Sequence, residues 1–161
     1  MKNSLIISII LILILNLKLS AQEIQIDSSK MDIVNDGNTV LAEDAKILVP
    51  SENIKIESKK ADYNKIRNII KFKDNVFFTD KQNEVLMESE YVEYKRNKEI
   101  IYSQGKTKLN IENKYNIVSE NIYYDRSLKK IYTNKEALIE NKINNFYILK
   151  EGFELNISNE I

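Results

Sequence analysis

Apolar and polar residues alternate with a period of two along most of the chain after residue 22. Ile54 and Ile56, for example, alternate with Lys55 and Glu57. This period is typical of strands that bury one face. β-branched and aromatic residues dominate the apolar positions, as strands prefer, and no stretch keeps helical apolar spacing for more than about two turns. The pattern predicts an all-β protein.

The strand pattern itself repeats about every 30 residues, which is typical of stacked β units. A fifth copy opens at Phe146 and Ile148 and is unfinished at Ile161, so we expect the chain to be the beginning of a longer one. Each column of equivalent positions steps by 30, then 31, then 30 residues: Ile26, Ile56, Met87, Ile117; Ser28, Ser58, Ser89, Ser119; Ile33, Tyr63, Tyr94, Tyr124; Val40, Ile70, Ile101, Ile131.

Each unit contains two breaks in the alternation. After Ser58 the apolar phase shifts by one residue, to Ala61 and Tyr63, and the serine column puts this predicted bulge at the same point in four copies. Two bends per unit would fold the strands over, so that two sheets face each other across an apolar seam. The ends of such a stack are edge strands that need a cap or a partner. The second break falls in the column Asp44, Asp74, Gly105, Lys135.

The first 21 residues form a separate segment. Lys2 precedes a run of apolar residues at 5–15, and Leu19-Ser20-Ala21 is a candidate cleavage site. The run is shorter than the ~20 residues of a membrane-spanning helix. We therefore predict a cleaved export signal at 1–21, rather than a membrane anchor, followed by one domain at 22–161. No cysteine follows the run, which excludes a lipid-modified cysteine.

Composition excludes several classes of function. The chain has no His and no Cys, so Ser-His, Cys-His and His-containing metal sites cannot form. Lys plus Arg and Asp plus Glu each number 24, which gives no basic surplus for nucleic acid. Carboxylates such as Asp32, Asp62, Glu43 and Asp44 recur with the repeat, which favours a solvated outer face over a glycosidase pair. We predict no enzyme activity, no cofactor and no metal.

Six of the nine tyrosines are candidates for one of two roles. Tyr63, Tyr94 and Tyr124 share the inward column, where core packing is the default and a ligand-lined interior is the alternative. A weaker hypothesis is a carbohydrate-binding module, which would use outward-facing aromatic side chains. Its candidates are Tyr102, Tyr123 and Tyr132.

The repeat resembles the OstA-type repeat domain of bacterial lipopolysaccharide-transport proteins. The family's unit reads approximately as an alternating strand, A-D-x-x-x-Y-D, a polar turn and I-x-A-x-G-N-V-x-I. Copy two has ADYN at 61–64 and IKFKDNV at 70–76. Copy three has YVEYK at 91–95 and IYSQGKT at 101–107, and copy four has IYYD at 122–125.

This resemblance implies a V-shaped β-jellyroll of stacked antiparallel strands, built from about five repeats. Its apolar interior would shield the acyl chains of lipopolysaccharide (lipid A) in the periplasm at the outer membrane, and neighbouring jellyroll domains of the Lpt bridge would pair end to end by their strands. The family includes free-standing bridge proteins of the LptA type and the periplasmic N-terminal part of LptD-type assembly proteins. The unfinished fifth copy favours the LptD type, which implies an outer-membrane barrel and a lipoprotein as further partners.

The expected lipid-binding site is a stripe of inward-facing residues along the stack. A dry, filled core of a structural β-solenoid is the alternative for the same stripe. The stripe comprises Ile26, Ile33, Ile56, Tyr63, Ile70, Phe72, Val76, Met87, Tyr94, Ile101, Leu109, Ile117, Tyr124, Ile131 and Ile139.

Overall fold

The computed structural model describes residues 24–143 and 145–157, and these form an all-β fold with two single-turn 3₁₀ helices at Pro50–Glu52 and Arg96–Lys98. The predicted export signal at 1–21 lies outside the described residues. Along the described part, no helix is long and apolar enough to cross a bilayer. The strands are β1 (Gln25–Asp27), β2 (Lys30–Val34), β3 (Thr39–Val49), β4 (Ile54–Asn64), β5 (Ile69–Asp80), β6 (Val85–Lys95), β7 (Ile100–Ile111), β8 (Tyr115–Glu120), β9 (Tyr123–Asp125), β10 (Lys130–Thr133), β11 (Ala137–Asn141), β12 (Phe146–Leu149) and β13 (Phe153–Asn156).

Among residues 24–143 and 145–157, all strand pairs are antiparallel and the strands stack as nine rungs. Strands β3 to β7 are continuous rungs of 11 or 12 residues. The other four rungs are each split into two strands: β1 with β2, β8 with β9, β10 with β11, and β12 with β13. A bend near the middle of every rung divides the stack into two limbs. Limb A contains 30–34, 39–43, 60–64, 69–73, 91–95, 100–104, 123–125, 130–133 and 153–156, and limb B contains 25–27, 45–49, 54–57, 76–80, 85–89, 106–111, 115–120, 137–141 and 146–149.

The bend lies where the two predicted breaks fall. Lys73 pairs with Tyr91 and the next pair is Val76 with Ser89, so β5 has two unpaired residues opposite one in β6. This is a β-bulge, which turns a strand sharply. The break that follows the serine in one rung therefore lies opposite the second predicted break, that of the column with Asp44, Asp74 and Gly105, in the neighbouring rung. The two predicted kinks of each unit form one line of bending that runs along the whole stack.

Backbone conformation at the bend explains the residue types of the second column. Asp44, Asp74 and Gly105 have φ values of 48°, 65° and 77°. Asp and Gly tolerate this left-handed region better than other residues. In the fourth copy, the position of Lys135 falls in the gap between β10 and β11, so the bend there is a break in the strand.

Hydroxyl groups compensate for ladder hydrogen bonds that are lost at the bend. Ser58 Oγ donates to the carbonyl oxygen of Lys60 at 2.9 Å, and Ser119 Oγ donates to that of Glu136 at 2.8 Å. Both serines are buried. Together with Ser89, which donates to the carbonyl oxygen of Tyr91, these serines supply a partner to a backbone carbonyl at the bend in three of the four copies.

The two limbs pack against each other across a single hydrophobic core. Phe78 of limb B and Tyr124 of limb A meet edge to face with ring centroids 6.3 Å apart. Both side chains are almost completely buried. Side chains from both limbs therefore meet within the seam between them.

The fifth copy faces the interior with different residues from those that open it in the sequence. Tyr147 lies opposite Ile139 of the interior, so Tyr147 and Leu149 share the inner face while Phe146 and Ile148 point outward. All four residues are apolar. In such a run, alternation does not indicate which residues face the interior.

Candidate functional site

The inner face of each limb carries an unbroken row of apolar side chains that crosses all nine rungs. Residues directly opposite each other in neighbouring antiparallel strands share a face. At about 4.8 Å per strand, each row is ~40 Å long. The limb A row is Ile33, Val40, Tyr63, Ile70, Tyr94, Ile101, Tyr124, Ile131 and Leu155. The limb B row is Ile26, Ile47, Ile56, Phe78, Met87, Leu109, Ile117, Ile139 and Tyr147.

Every residue of the predicted stripe lies on the inner face of one limb or the other. Eleven of the fifteen are buried, Ile26, Tyr63 and Ile139 are partly buried, and Ile33 is 61% exposed. Whether this stripe binds lipid is a separate matter and stays a prediction. The stripe omitted several interior residues that are at most 2% exposed, namely Ile47, Val49, Ile54, Phe78, Val85, Val92, Ile111 and Ile122.

Burial falls off at both ends of the stack. All five residues of β2 are exposed, so Met31 and Ile33 present apolar side chains at one end. At the other end, all four residues of β12 are exposed. Within the described residues, each of these edge strands pairs on one side only. The core of the stack is therefore closed, while its two ends offer apolar side chains and free backbone.

The outer faces carry charged side chains. The carboxylates of Asp32, Glu43 and Asp44 are more than half exposed and form ion pairs with Lys30 or Lys59. This agrees with the solvated outer face that the sequence indicated for them. Exposed ion pairs of this kind contribute little to stability, typically below ~1 kcal/mol.

The three outward tyrosines that were candidates for carbohydrate binding stack on one another. The Tyr102 and Tyr123 ring centroids are 4.6 Å apart, and those of Tyr123 and Tyr132 are 5.3 Å apart. Lys130 Nζ lies 5.7 Å from the Tyr132 centroid. Each ring covers part of its neighbour, and Tyr123 and Tyr132 are 38% and 37% exposed. The arrangement is that of a cross-strand ladder that stabilises the sheet.

A buried polar cluster closes the seam on the side opposite the bend. There the turns at the tips of limb A meet those at the tips of limb B, and we call this side the mouth. These residues were not predicted as a group. The mouth cluster consists of Glu52, Asp80, Asn83, Tyr94, Arg96, Tyr124 and Arg126.

Arg126 is the centre of the mouth cluster. Its Nε donates to Asp80 Oδ2 at 2.7 Å, and its Nη2 donates to the Glu52 carbonyl oxygen at 2.9 Å. Tyr124 donates its hydroxyl proton to the same Asp80 oxygen at 2.7 Å, and Asn83 Nδ2 donates to it at 2.9 Å. Asp80 is completely buried and Arg126 is 7% exposed. A charged group this deep is tolerated because it is paired and hydrogen-bonded.

A second ion pair lies beside the first. Arg96 Nη2 contacts Glu52 Oε1 at 2.8 Å, and Tyr94 donates a short hydrogen bond to the other Glu52 oxygen. Glu52 lies at a tip of limb B, whereas Tyr94 and Arg96 lie at a tip of limb A. These contacts join residues more than 40 positions apart in the sequence and tie the two limbs together.

Charge and burial shift the acid–base properties of the mouth cluster. Burial alone would raise the pKa of Asp80, but hydrogen bonds from Arg126, Asn83 and Tyr124 outweigh it and hold this pKa below its usual range. Burial and the carboxylate of Asp80 raise the pKa of Tyr124. Burial and Glu52 likewise raise the pKa of Tyr94. At neutral pH the carboxylate of Asp80 is therefore ionised and both phenols are protonated.

Two signals in the sequence mark the mouth cluster in hindsight. Tyr94-Lys95-Arg96 and Tyr124-Asp125-Arg126 are the same Tyr-x-Arg motif one repeat apart, in a chain that has only three arginines. Asp80 continues the inward alternation of Val76 and Phe78, so a charge falls in an apolar register.

Metal binding finds no support in the described part of the chain, where no three carboxylates gather closely enough to hold an ion. What the seam offers chemically is apolar surface, bounded by charged outer faces and closed at the mouth by ion pairs.

Comparisons with known proteins bear on the fold. No protein-family model matches the chain, and no curated protein matches it. Among solved structures, it is similar to the crystal structure of LptH, the LptA-homologous periplasmic component of the lipopolysaccharide transport device of Pseudomonas aeruginosa. The TM-score is 0.59, with 12% sequence identity over 65% of this chain and 76% of that one. The chain therefore has the LptA-type β-jellyroll fold.

Proposed function

We propose that this chain is a non-enzymatic periplasmic protein of lipopolysaccharide transport, which shields the acyl chains of lipid A between its two limbs. The observation that carries the proposal is the pair of uninterrupted apolar rows, each crossing nine rungs, on facing inner surfaces. The outer faces are charged, so the acyl chains would lie inside while the sugar head group stays in water. The predicted signal at 1–21 would direct export.

The two ends of the stack supply the joints of the proposed bridge. Exposed β2 and β12 have free backbone on their outer sides within the described residues. An added strand can hydrogen-bond to such an edge and continue the sheet. Neighbouring jellyrolls would therefore extend the two apolar rows from one domain to the next.

Two placements in the transport system are open under this proposal. A free-standing LptA-like bridge protein would pair with jellyrolls at both ends. The N-terminal part of an LptD-like assembly protein would instead adjoin an outer-membrane barrel and its lipoprotein. A photo-crosslinker at Phe146 in living cells distinguishes them, because the captured partner is a jellyroll protein in the first case and a component of the barrel complex in the second.

A structural β-solenoid with a dry core is the second candidate, and the packing of the seam favours it. Tyr94, Tyr124 and Phe72 are fully buried between the limbs. A side chain that fills the core would stabilise the fold and bind nothing.

Binding of purified protein to fluorescent lipopolysaccharide separates the two candidates. Under the transport proposal, unlabelled lipopolysaccharide competes for binding, whereas its core oligosaccharide without acyl chains does not. Binding that saturates and is displaced only by acylated competitors supports the proposal. Absence of binding, or displacement by the oligosaccharide alone, contradicts it.

A further inference from the structure

The mouth cluster joins the limbs through charged groups. Beneath it they meet through apolar side chains, as Phe78 and Tyr124 do, and next to the bend also through hydroxyl groups, as Ser103 and Thr107 do at 2.8 Å. At the mouth they are joined by three ion pairs. Glu52 pairs with Arg96 at 2.8 Å and with Arg126 at 3.8 Å, and Asp80 pairs with Arg126 at 2.7 Å. At the opposite side the limbs are joined covalently, through the bend in each continuous rung.

Polar closure of this kind is a poor way to gain stability. Removing charged groups from water is costly, and well-packed apolar residues at the same positions are often as stabilising or more so. When the tips part, however, both guanidinium and both carboxylate groups regain water. The free-energy cost of separating the charged groups at the mouth is therefore offset by their hydration. Separation of two apolar surfaces has no such offset.

The seam gives a reason for such an opening. Interior residues of the two limbs are in contact, and Ile70, Tyr94 and Met87 are at most 1% exposed. Acyl chains cannot lie between the limbs unless the limbs move apart. Because the limbs are joined covalently at the bend, they can move apart only at their tips.

We propose that the mouth cluster is a reversible closure, which holds the empty jellyroll shut and opens to admit acyl chains from the side, along the length of the seam. This inference rests on the proposed function for the identity of the cargo. It assigns Glu52, Asp80, Arg96 and Arg126 the role of controlling access, a role separate from contact with lipid. The bend residues act as the hinge.

The first test locks the mouth. Because the chain has no cysteine, a variant carrying Glu52→Cys and Arg96→Cys has two thiols only, which a reducible bis-thiosulfonate reagent can join. Its control carries Lys71→Cys and Glu93→Cys, which face each other on the outer side of limb A. The probe is fluorescent lipopolysaccharide, measured before and after addition of a reductant.

We expect crosslinking at the mouth to weaken binding at least about tenfold, equivalent to ~1.4 kcal/mol, and the reductant to restore it. The control crosslink leaves binding unchanged. Equal binding by the locked and the reduced mouth variant overturns the inference.

The second test needs no lipid. A single reporter, Met87→Cys, lies in the limb B row, where it is 1% exposed. Its rate of labelling by a small maleimide reports opening of the seam. We expect Arg126→Gln to raise this rate at least about tenfold while circular dichroism shows the strands intact. Lys130→Gln, which breaks a partly exposed 2.8 Å ion pair with Glu154 within limb A, leaves the rate unchanged.

Should Arg126→Gln fail to fold, Tyr124→Phe takes its place, because it removes a single hydrogen bond to Asp80 and keeps the ring in the core. A labelling rate equal to that of the control overturns the inference. A raised labelling rate in a protein that binds no lipopolysaccharide refutes the proposed function but still supports the reversible closure. Failure of the closure and failure of the proposed function are therefore distinguishable.

Discussion

Phe72 and Phe77 show how burial is decided at the scale of single residues. Both lie on β5, but Phe72 faces the seam and is fully buried, whereas Phe77 faces outward and is 50% exposed. We expect Phe72→Ala to lower the free energy of unfolding by ~3–5 kcal/mol, because it leaves a cavity in the core. Phe77→Ala should cost under ~1 kcal/mol. Urea denaturation measures both, and similar losses for the two variants would contradict the assignment of faces.

Gly152 is a position where no other residue fits. Its φ is 93°, and a Cβ atom there would lie 2.1 Å from the carbonyl oxygen of Thr133. We expect Gly152→Ala to destabilise the fold well beyond the ~1–2 kcal/mol of left-handed strain alone. Gly105→Ala is the matched control, since its φ is 77° and nothing lies within 4 Å of the added carbon. Thermal unfolding measures the stability of both variants. A smaller loss of stability for Gly152→Ala than for Gly105→Ala would contradict the close approach of residue 152 to Thr133.

Elements of this fold follow from the sequence where the local pattern is informative. The serine column and the Asp-Gly column predicted the bend, because bulge geometry and left-handed backbone restrict the residue types at these positions. Alternation predicted most residues of the interior rows, but the predicted stripe omitted Ile47 and Phe78. The fifth copy did not follow from alternation, since Phe146, Tyr147, Ile148 and Leu149 are all apolar and either register satisfies the pattern.

β12 is the element whose exposure calls for a partner. All its residues are exposed, with Phe146 at 63%. A lysine on the inner face of an exposed edge opposes strand addition, because pairing would enclose its charge between the limbs. We expect Tyr147→Lys, on the inner face of β12, to weaken end-to-end association of copies, measured by sedimentation equilibrium, while Phe77→Lys on the outer face of β5 leaves it unchanged. A wild-type protein that stays monomeric at high concentration would contradict pairing between copies.

The mouth cluster belongs to the whole molecule, because it forms only when both limbs are in place. Sequence could not reveal it as a site, since Glu52 and Arg96 are 44 positions apart and each falls in a polar turn. The repeated Tyr-x-Arg motif was visible in the chain. Its partner carboxylates were not, because their approach depends on the angle between the limbs.

Acid should release this closure. The pKa of Asp80 is held below its ordinary value of 3.8, so the stability that its ionised form contributes is complete above that pH. This stability is lost as pH falls through the lower pKa of the folded state. We expect the free energy of unfolding to fall more steeply with acid in the wild type than in Asp80→Asn. Parallel pH profiles for the two proteins would show that Asp80 is not paired in the folded state.

Photo-crosslinking in living cells tests whether lipid lies between the limbs. A photoreactive residue replaces Phe72 or Met87 on the inner face, or Lys71 or Lys73 on the outer face of the same limb as Phe72. If the chain carries lipopolysaccharide between its limbs, lipopolysaccharide is captured at the two inner positions and not at the two outer ones. Capture at Lys71 or Lys73 alone would contradict it.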